Sequence, residues 1–457
     1  MGICYVSVLL LTFVVDKEMT HSVESSGSIR HYSVAIIGAG PFGLALAARL
    51  RAANVNFVLF GRPMSFWQEN VPIGTRLLSG PVICSLSDNQ FDCAAFAQAK
   101  GISLPVAFTD EEFVAYSLWF QRHTCPDPDL RMVEYTTREH RTYKLRLSDG
   151  AVVTADNVAI AIGLKPFAFK PSQFANIPAP LVLHTSDLHD LSEFCGRKLA
   201  IIGSGQSAID CAVLLSERNA KVEVLARARQ VRWSGNHPAE SIKRPSLLSK
   251  VRKPIRVFLS KPGAYRRLPV AVREMGLNRM LRPVADRSLI PRLGNVRFGL
   301  GRMVNIALTQ NNQVQLHLDD HSIRTVDHAV LGTGYHVDVD QITFLSAELR
   351  REIRRHAGYP ELNNKMESSV PGLYFMGAMA AWSFGPAMWL VKGAPWAAKT
   401  VSRAILGAGS VGNRNCEVET PTSCQLDNPS VDQRAQLRDG SSFGETHNQL
   451  GVGFSSD

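Results

Sequence analysis

Two glycine clusters, 165 residues apart, limit what this chain can become more than any other feature. The first is Gly38-Ala39-Gly40-Pro41-Phe42-Gly43. It follows a short run of apolar residues, Ser33–Gly38 (SVAIIG), and opens a helical stretch, Phe42–Ala53, that leads to a second strand, Asn56–Phe60. The second cluster is Gly203-Ser204-Gly205-Gln206-Ser207-Ala208, and it repeats the order: strand Lys198–Gly203 (KLAIIG), helix Gln206–Glu217, strand Lys221–Leu225. A strand covered on both faces reads as a near-continuous apolar run, and parallel neighbours need a crossover helix. Strand, glycine turn, helix, strand is therefore the opening of a doubly wound α/β fold, written twice.

Each cluster is a cradle for a dinucleotide. Gly38 permits the tight turn, Gly40 lets backbone approach a pyrophosphate, and Gly43 lets helix and strand pack closely. The helix, opened by Pro41 and Phe42, presents its unpaired N–H groups to the phosphates. The first cluster is expected to take FAD. Its second strand ends Leu59-Phe60-Gly61-Arg62, without the acid that usually holds the adenosine ribose. Arg62 against the adenine face is the expected substitute. In the second cluster Gly203, Gly205, Gln206 and Ser207 are the expected contacts. Its second strand ends Leu225-Ala226-Arg227-Ala228-Arg229, again with no acid and with two arginines. Guanidinium groups suit a 2′-phosphate, so Arg227 and Arg229 point to NADPH rather than NADH; as ordinary surface charges they would carry no such meaning.

The rest of the chain arranges itself around these units. The expected fold class is α/β with two Rossmann-like domains, the FAD domain being interrupted by an inserted NAD(P)H domain. Residues 31–175 form the opening portion of the FAD domain, 176–324 the NAD(P)H domain, and 325–408 the closing portion of the FAD domain. Residues 1–30 read as a leader or a start set too far upstream, and 409–457, rich in Ser, Asn, Gln and Asp, as a disordered tail. Arg141–Leu147 with the turn at 148–150 reads as a hairpin, and Gln313–Leu318 alternates like a strand. Val158–Ile162 and Ala329–Leu331 are buried strands whose ends, Gly163 and Gly334-Tyr335, are expected to lie near a nucleotide. Trp67 reads as a flavin-face aromatic or as core, with Gln68 and Asn70 in reach of polar flavin edges. His184 reads as a satisfied loop histidine. Gly377, Ala378 and Gly385 are expected along the flavin, Ser383–Met388 is expected to open the last helix, and Trp382 alone among the late tryptophans is placed near the ring.

Charge and cysteines narrow the function. The formal net charge is +10, but Lys243–Arg297 alone holds fifteen Lys/Arg against Glu274 and Asp286. Such concentration reads as a solvated basic face or as a positive lip for an anionic substrate or for coenzyme phosphates, not as a nucleic-acid binder. The eight cysteines are scattered, with no C-x-x-C, which fits neither a zinc site nor a disulfide framework, so no metal is expected. They suit a reducing, cytoplasmic setting. The apolar stretch near the N-terminus is short for a membrane span, and membrane association is not expected.

The order of the two glycine motifs and the segment Asp327-His328-Ala329-Val330-Leu331-Gly332-Thr333-Gly334-Tyr335 resembles the class B flavin-dependent monooxygenases. That group includes N-hydroxylating lysine and ornithine monooxygenases and dimethylaniline-type enzymes. The likeness covers roughly residues 33–405. It implies an FAD- and NADPH-dependent monooxygenase in which a flavin hydroperoxide passes one oxygen of O2 to a small nitrogen-containing substrate such as an amine, an amino acid or a purine like urate. Pro371–Ala378 resembles the family's return to the FAD domain, with Ala378 where related reductases have Asp. Other departures are Gly332 where the family usually has Ala, and Phe174 and His184-Thr185-Ser186 in place of an aromatic-glycine-His stretch. The last counts against Baeyer–Villiger chemistry. No amino-acid-binding segment follows Arg232-Trp233, which leaves a lysine or ornithine substrate unsupported. A flavin-dependent reductase without oxygen transfer and a non-enzymatic nucleotide-binding regulator are the alternatives; no catalytic side chain is assigned.

Overall fold

The computed structural model describes residues 29–77, 80–87, 90–105, 107–234 and 261–412. The expected leader up to residue 28, residues 243–260 of the basic segment, and the expected tail beyond Gly412 lie outside the described residues. The described residues up to Gly409 form one compact unit, which holds both glycine clusters.

The first cradle sits on a six-stranded sheet. Its strands are β1 (Arg30–Ile37), β2 (Phe57–Phe60), β3 (Val133–Glu139), β4 (Thr142–Leu147), β5 (Val152–Ile160) and β18 (Leu373–Phe375). Their order is β2-β1-β5-β4-β3, with β18 joining β5. β5 belongs to two environments. One edge runs parallel to β1 from Val153 to Ile160, while on the other edge its first half pairs antiparallel with β4 and its second half parallel with β18. Its sequence records the change: burial alternates early, then Val158, Ala159 and Ile160 are buried without a break. Alternation belongs to a sheet with one wet face, and a continuous apolar run to a parallel sheet covered on both.

The second cradle sits on a five-stranded parallel sheet. Its strands are β6 (Val182–His184), β7 (Lys198–Ile202), β8 (Lys221–Ala226), β11 (Arg297–Leu300) and β15 (His328–Leu331). They lie in the order β11-β8-β7-β15-β6. A meander of β12 (Val304–Gln310), β13 (Gln313–Leu318) and β14 (Ile323–Val326) leads into β15. The domain boundary expected at 324/325 is thereby corrected. β15 pairs with β6 and β7, so the inserted unit keeps the chain through Leu331, and the return to the first sheet comes with β18. Two short ribbons complete the strands: β9 (Trp233–Ser234) with β10 (Ala285–Asp286), and β16 (Arg355–His356) with β17 (Tyr359–Pro360).

A helix opening at Ser383–Met388 is also corrected. The chain makes a short turn of helix at Ala381–Phe384, breaks at Gly385, winds through 3-10 turns at Pro386–Trp389 and Val391–Gly393, and enters its last helix at Ala394. Gly385 has φ +82°, and a Cβ there would come within 2.7 Å of the Tyr265 ring. Pro386 then removes a backbone donor. Tyr265 belongs to the basic segment, whose described residues form more than a solvated face. Its helical pieces Pro262–Tyr265 and Val270–Met280 pack on Ala381–Phe384.

Candidate active site

The first glycine turn is closed by backbone, not side chains. Gly38 N–H donates to Phe60 O at 2.9 Å. Gly38 has φ +109°, and a Cβ there would lie 2.4 Å from Ala161 O; one at Gly43 would lie 1.8 Å from Gly38 O. At Gly40 a Cβ would meet nothing within 4 Å. Gly40 caps the helix Pro41–Ala52 without any side-chain bond, and the first turn holds no acid. Uncapped N–H groups, a positive helix end and open space at the second glycine fit a pyrophosphate. Gly377 has φ +70°, and a Cβ there would lie 3.5 Å from the Phe42 ring, which places the returning segment beside this turn, with Ala378 buried next to it.

The second turn copies the first. Gly203 N–H donates to Leu225 O at 2.9 Å, and a Cβ on Gly203 would lie 2.3 Å from Gly332 O. Gly205 caps the helix Gln206–Glu217, again with no side-chain bond and no acid in the first turn. Beyond β8, Arg227 and Arg229 are exposed, with no ion-pair partner among the described residues.

A cleft of about 300 Å³ draws its walls from both cradles. Phe66, Trp67, Leu164 and Leu77 come from the first unit, Thr185, Gln206, Ser207 and Asp210 from the second, and Tyr335 and Trp389–Lys392 from later chain. Trp67 is held edge-on by Phe113, ring centres 4.9 Å apart. Arg76 and Lys392 are exposed at the walls. A knot of polar bonds joins the units behind the cleft. Asn70 Nδ2 donates to Ser186 O at 2.9 Å, and Lys165 Nζ bonds Ser186 O and the Asp187 carboxylate. His184 shares hydrogen bonds with Ser186 Oγ and Gly334 O, and burial pushes its pKa down. It is a satisfied structural histidine. Gly163 and Gly334 both take positive φ, +72° and +79°.

Asp210 is the ionisable group that the sequence did not single out. Burial lifts its pKa to about 6, against the opposing pull of a Gln206 hydrogen bond and the Arg292 charge. Gln206 Oε1 accepts from Asp286 N–H at 2.7 Å, which turns its amide NH2 toward Asp210 Oδ2, also 2.7 Å away. Its position, four residues after Gln206 on the motif helix, was the available signal.

Several expected contacts are placed elsewhere. Arg62 stands one residue past the turn beside Ala39, but its guanidinium is paired with Glu69 at 2.6 Å. That pair brings a carboxylate to a strand end that has none in sequence. Gln68 is exposed and donates to Pro63 O at 2.7 Å, so it serves its own turn. Trp382 is buried away from the cleft walls, stacked on His356 at 3.8 Å with Arg273 over its ring at 4.6 Å; of the late tryptophans, Trp389 lines the cleft, as Trp67 does from the first unit. Gly385 makes room for the Tyr265 ring.

Comparison with known proteins agrees with this construction. A family model described as pyridine nucleotide-disulphide oxidoreductase matches residues 35–257. A ferredoxin–NADP reductase of Streptococcus sanguinis is 22% identical over 76% of this chain and 85% of its own length. Ferredoxin–NADP reductase 2 of Oceanobacillus iheyensis is 26% identical over 47% of this chain and 60% of its own length, so the match spans less than two thirds of that relative. Among solved structures, an ornithine N-hydroxylase of Kutzneria sp. 744 superposes with TM-score 0.68 at 18% identity, covering 83% of this chain and 100% of its own. A bacillithiol disulfide reductase of Staphylococcus aureus gives 0.58 at 16% identity, covering 83% and 99%. At these identities the structural likenesses speak for the fold. The chain is a two-dinucleotide-fold oxidoreductase that uses FAD and NAD(P). Among the described residues no helix is long and apolar enough to cross a membrane.

Proposed function

We propose that the protein is an NADPH-dependent flavin monooxygenase that hydroxylates a small nitrogen-containing substrate. The observation that carries this reading is the cleft: aromatic and aliphatic walls, a volume of about 300 Å³, and one half-buried acid of raised pKa between the two cradles. Bound FAD and NADPH would supply the redox chemistry; the chain's own task is to orient, to exclude water and to hold protons. Trp67, Trp389 and Tyr335 present apolar faces that keep water out, and burial holds the Tyr335 hydroxyl protonated, its pKa raised to about 12. Asp210, with a pKa near neutrality, is suited to exchange a proton with a group in the cleft. Arg76 and Lys392 would favour an anionic substrate, urate included. Gly38, Gly40, Pro41, Phe42 and Gly43 would hold the FAD pyrophosphate, and Arg227 and Arg229 the coenzyme 2′-phosphate.

Disulfide chemistry is disfavoured by the state of the nearest cysteines. Cys84 lines the cleft, but burial raises its thiol to about 12 and that of Cys93 to about 11. A thiolate is the reactive form, and neither is one near neutral pH. The second reading, a flavin-dependent reductase without oxygen transfer, is favoured by the ferredoxin–NADP reductases among the sequence relatives.

The test is to screen the FAD-loaded protein with NADPH against amines, amino acids and purines, recording NADPH oxidation, oxygen uptake and peroxide release together. A monooxygenase consumes one O2 per NADPH with hydroxylated product and little peroxide. NADPH oxidation that proceeds without oxygen, on adding a ferredoxin or quinone, would overturn the reading in favour of the reductase.

A further inference from the structure

The basic excursion begins and ends at the second glycine turn. The chain leaves through β9 and returns through β10, and the two pair in parallel, with Ala285 N–H donating to Arg232 O at 2.9 Å. On its return the chain roofs the turn. A Cβ on Gly205 would touch Pro283 at 3.7 Å, and Asp286 N–H is bonded to Gln206, the first residue of the motif helix. Arg287 comes next. From there a 3-10 segment, Arg287–Arg292, packs along the same helix to its far end, where Arg292 pairs with Glu217 at 2.8 Å.

Arg287 is in the wrong place for a purely structural arginine. It is half-buried, its Nε is shut from solvent without a hydrogen-bond partner, and it has no ion pair among the described residues. It starts beside a helix N-terminus, where the aligned peptide dipoles repel a cation. A covered donor without a partner costs free energy on its own. An anion at the turn would remove both penalties. Arg292, at the other end of the same segment and near the C-terminal end of the helix, has a carboxylate, and its charge is matched to the dipole there.

We infer that Arg287 is a phosphate-binding residue of the second dinucleotide site, closing on the bridging pyrophosphate from the roof formed by Pro283. This rests on the reading that the second glycine turn takes NADPH. It gives the returning end of the basic segment a role separate from Arg227 and Arg229. Those two would contact the 2′-phosphate, which NADP+ has and NAD+ lacks; Arg287 contacts what both coenzymes share.

The test is equilibrium titration of the oxidised, FAD-loaded protein with NADP+ and with NAD+, which needs no turnover. Arg287→Gln should weaken both coenzymes by a similar factor of about ten or more, the size of one charge-assisted bond. Arg227→Ala should weaken NADP+ alone. Unchanged affinity for both coenzymes in Arg287→Gln would overturn the inference. A loss confined to NADP+ would overturn it too, by moving Arg287 to the 2′-phosphate. If wild type binds neither coenzyme, the NADPH reading itself fails, and the inference with it. FAD content and melting temperature report folding; should Arg287→Gln fail to load FAD, Arg287→Lys carries the same comparison, with a smaller loss expected for both coenzymes.

Discussion

The two cradles solve one steric problem in opposite ways. In the first, the third motif position is Gly43, and the strand end facing the turn is Ala161, whose carbonyl meets Gly38. In the second, the third position is Ala208 and the facing strand end is Gly332, whose carbonyl meets Gly203. A Cβ on Gly332 would lie 2.5 Å from the Ala208 methyl. The methyl has changed sides. Gly332, which departs from the alanine usual in the monooxygenases the sequence resembles, is therefore the complement of Ala208 and needs no functional explanation. The cradles also differ in surroundings. The first is packed by Phe42 against Gly377, whereas the second is bordered by the arginines 227, 229, 232, 282 and 287. On the proposed function, the first would retain its dinucleotide and the second would attract and release one.

The sharpest way to break this comparison is to move the methyls. Gly43→Ala should be severe, costing about 4 kcal/mol or more, because the new Cβ meets a carbonyl oxygen at 1.8 Å and backbone cannot rotate away. Ala208→Gly should cost only about 1 kcal/mol, the loss of helix propensity. Denaturant unfolding and FAD content measure both. Equal effects would mean that the two turns are not asymmetric.

Gly332→Ala comes next, at about 1–3 kcal/mol of overpacking. The double variant Gly332→Ala with Ala208→Gly transfers the first cradle's arrangement to the second. It should recover about 1 kcal/mol or more relative to the sum of the single changes. Strict additivity in the same unfolding series would show that the two positions do not meet.

Asp210 supplies a smaller effect that depends on pH. Its folded pKa, about 6, is raised above the ordinary 3.8, so the fold favours the neutral acid. Stability from this group is therefore complete below the unfolded pKa and is lost as pH climbs through about 6. Asp210→Asn keeps the Gln206 hydrogen bond and stays neutral. It should match wild type near about pH 4 and exceed it by about 1–3 kcal/mol near about pH 8. Melting temperatures across that range decide it; a constant difference at all pH values would remove Asp210 from the account.

What the sequence could tell followed from how local each constraint is. The cradles were legible because a glycine turn, its strand and its helix are contiguous, and the clashes that demand glycine come from a few nearby atoms. β5 was half legible: its apolar end marked the parallel sheet, while the alternating start was not assigned to the same strand. Trp382 and Trp389 could not be told apart, because which one faces the cleft depends on Tyr265 and Arg273 arriving from more than a hundred residues away and forcing the break at Gly385. Gln68 was misplaced for the opposite reason, a bond to Pro63 five residues back that periodicity does not reveal. Asp210 stood in plain view on the motif helix. Its importance lay in burial, which no spacing rule reports.

The central claim is that the second cradle delivers hydride from NADPH to a flavin held in the first. It is tested most directly by mixing the oxidised, FAD-loaded protein anaerobically with NADPH or NADH and following flavin bleaching. Flavin reduction should be at least about tenfold more efficient with NADPH, from one charge-assisted contact to the 2′-phosphate, and Arg227→Ala should remove most of that preference while leaving the NADH rate nearly unchanged. Equal rates for the two coenzymes in wild type, or a preference untouched by both Arg227→Ala and Arg229→Ala, would contradict it.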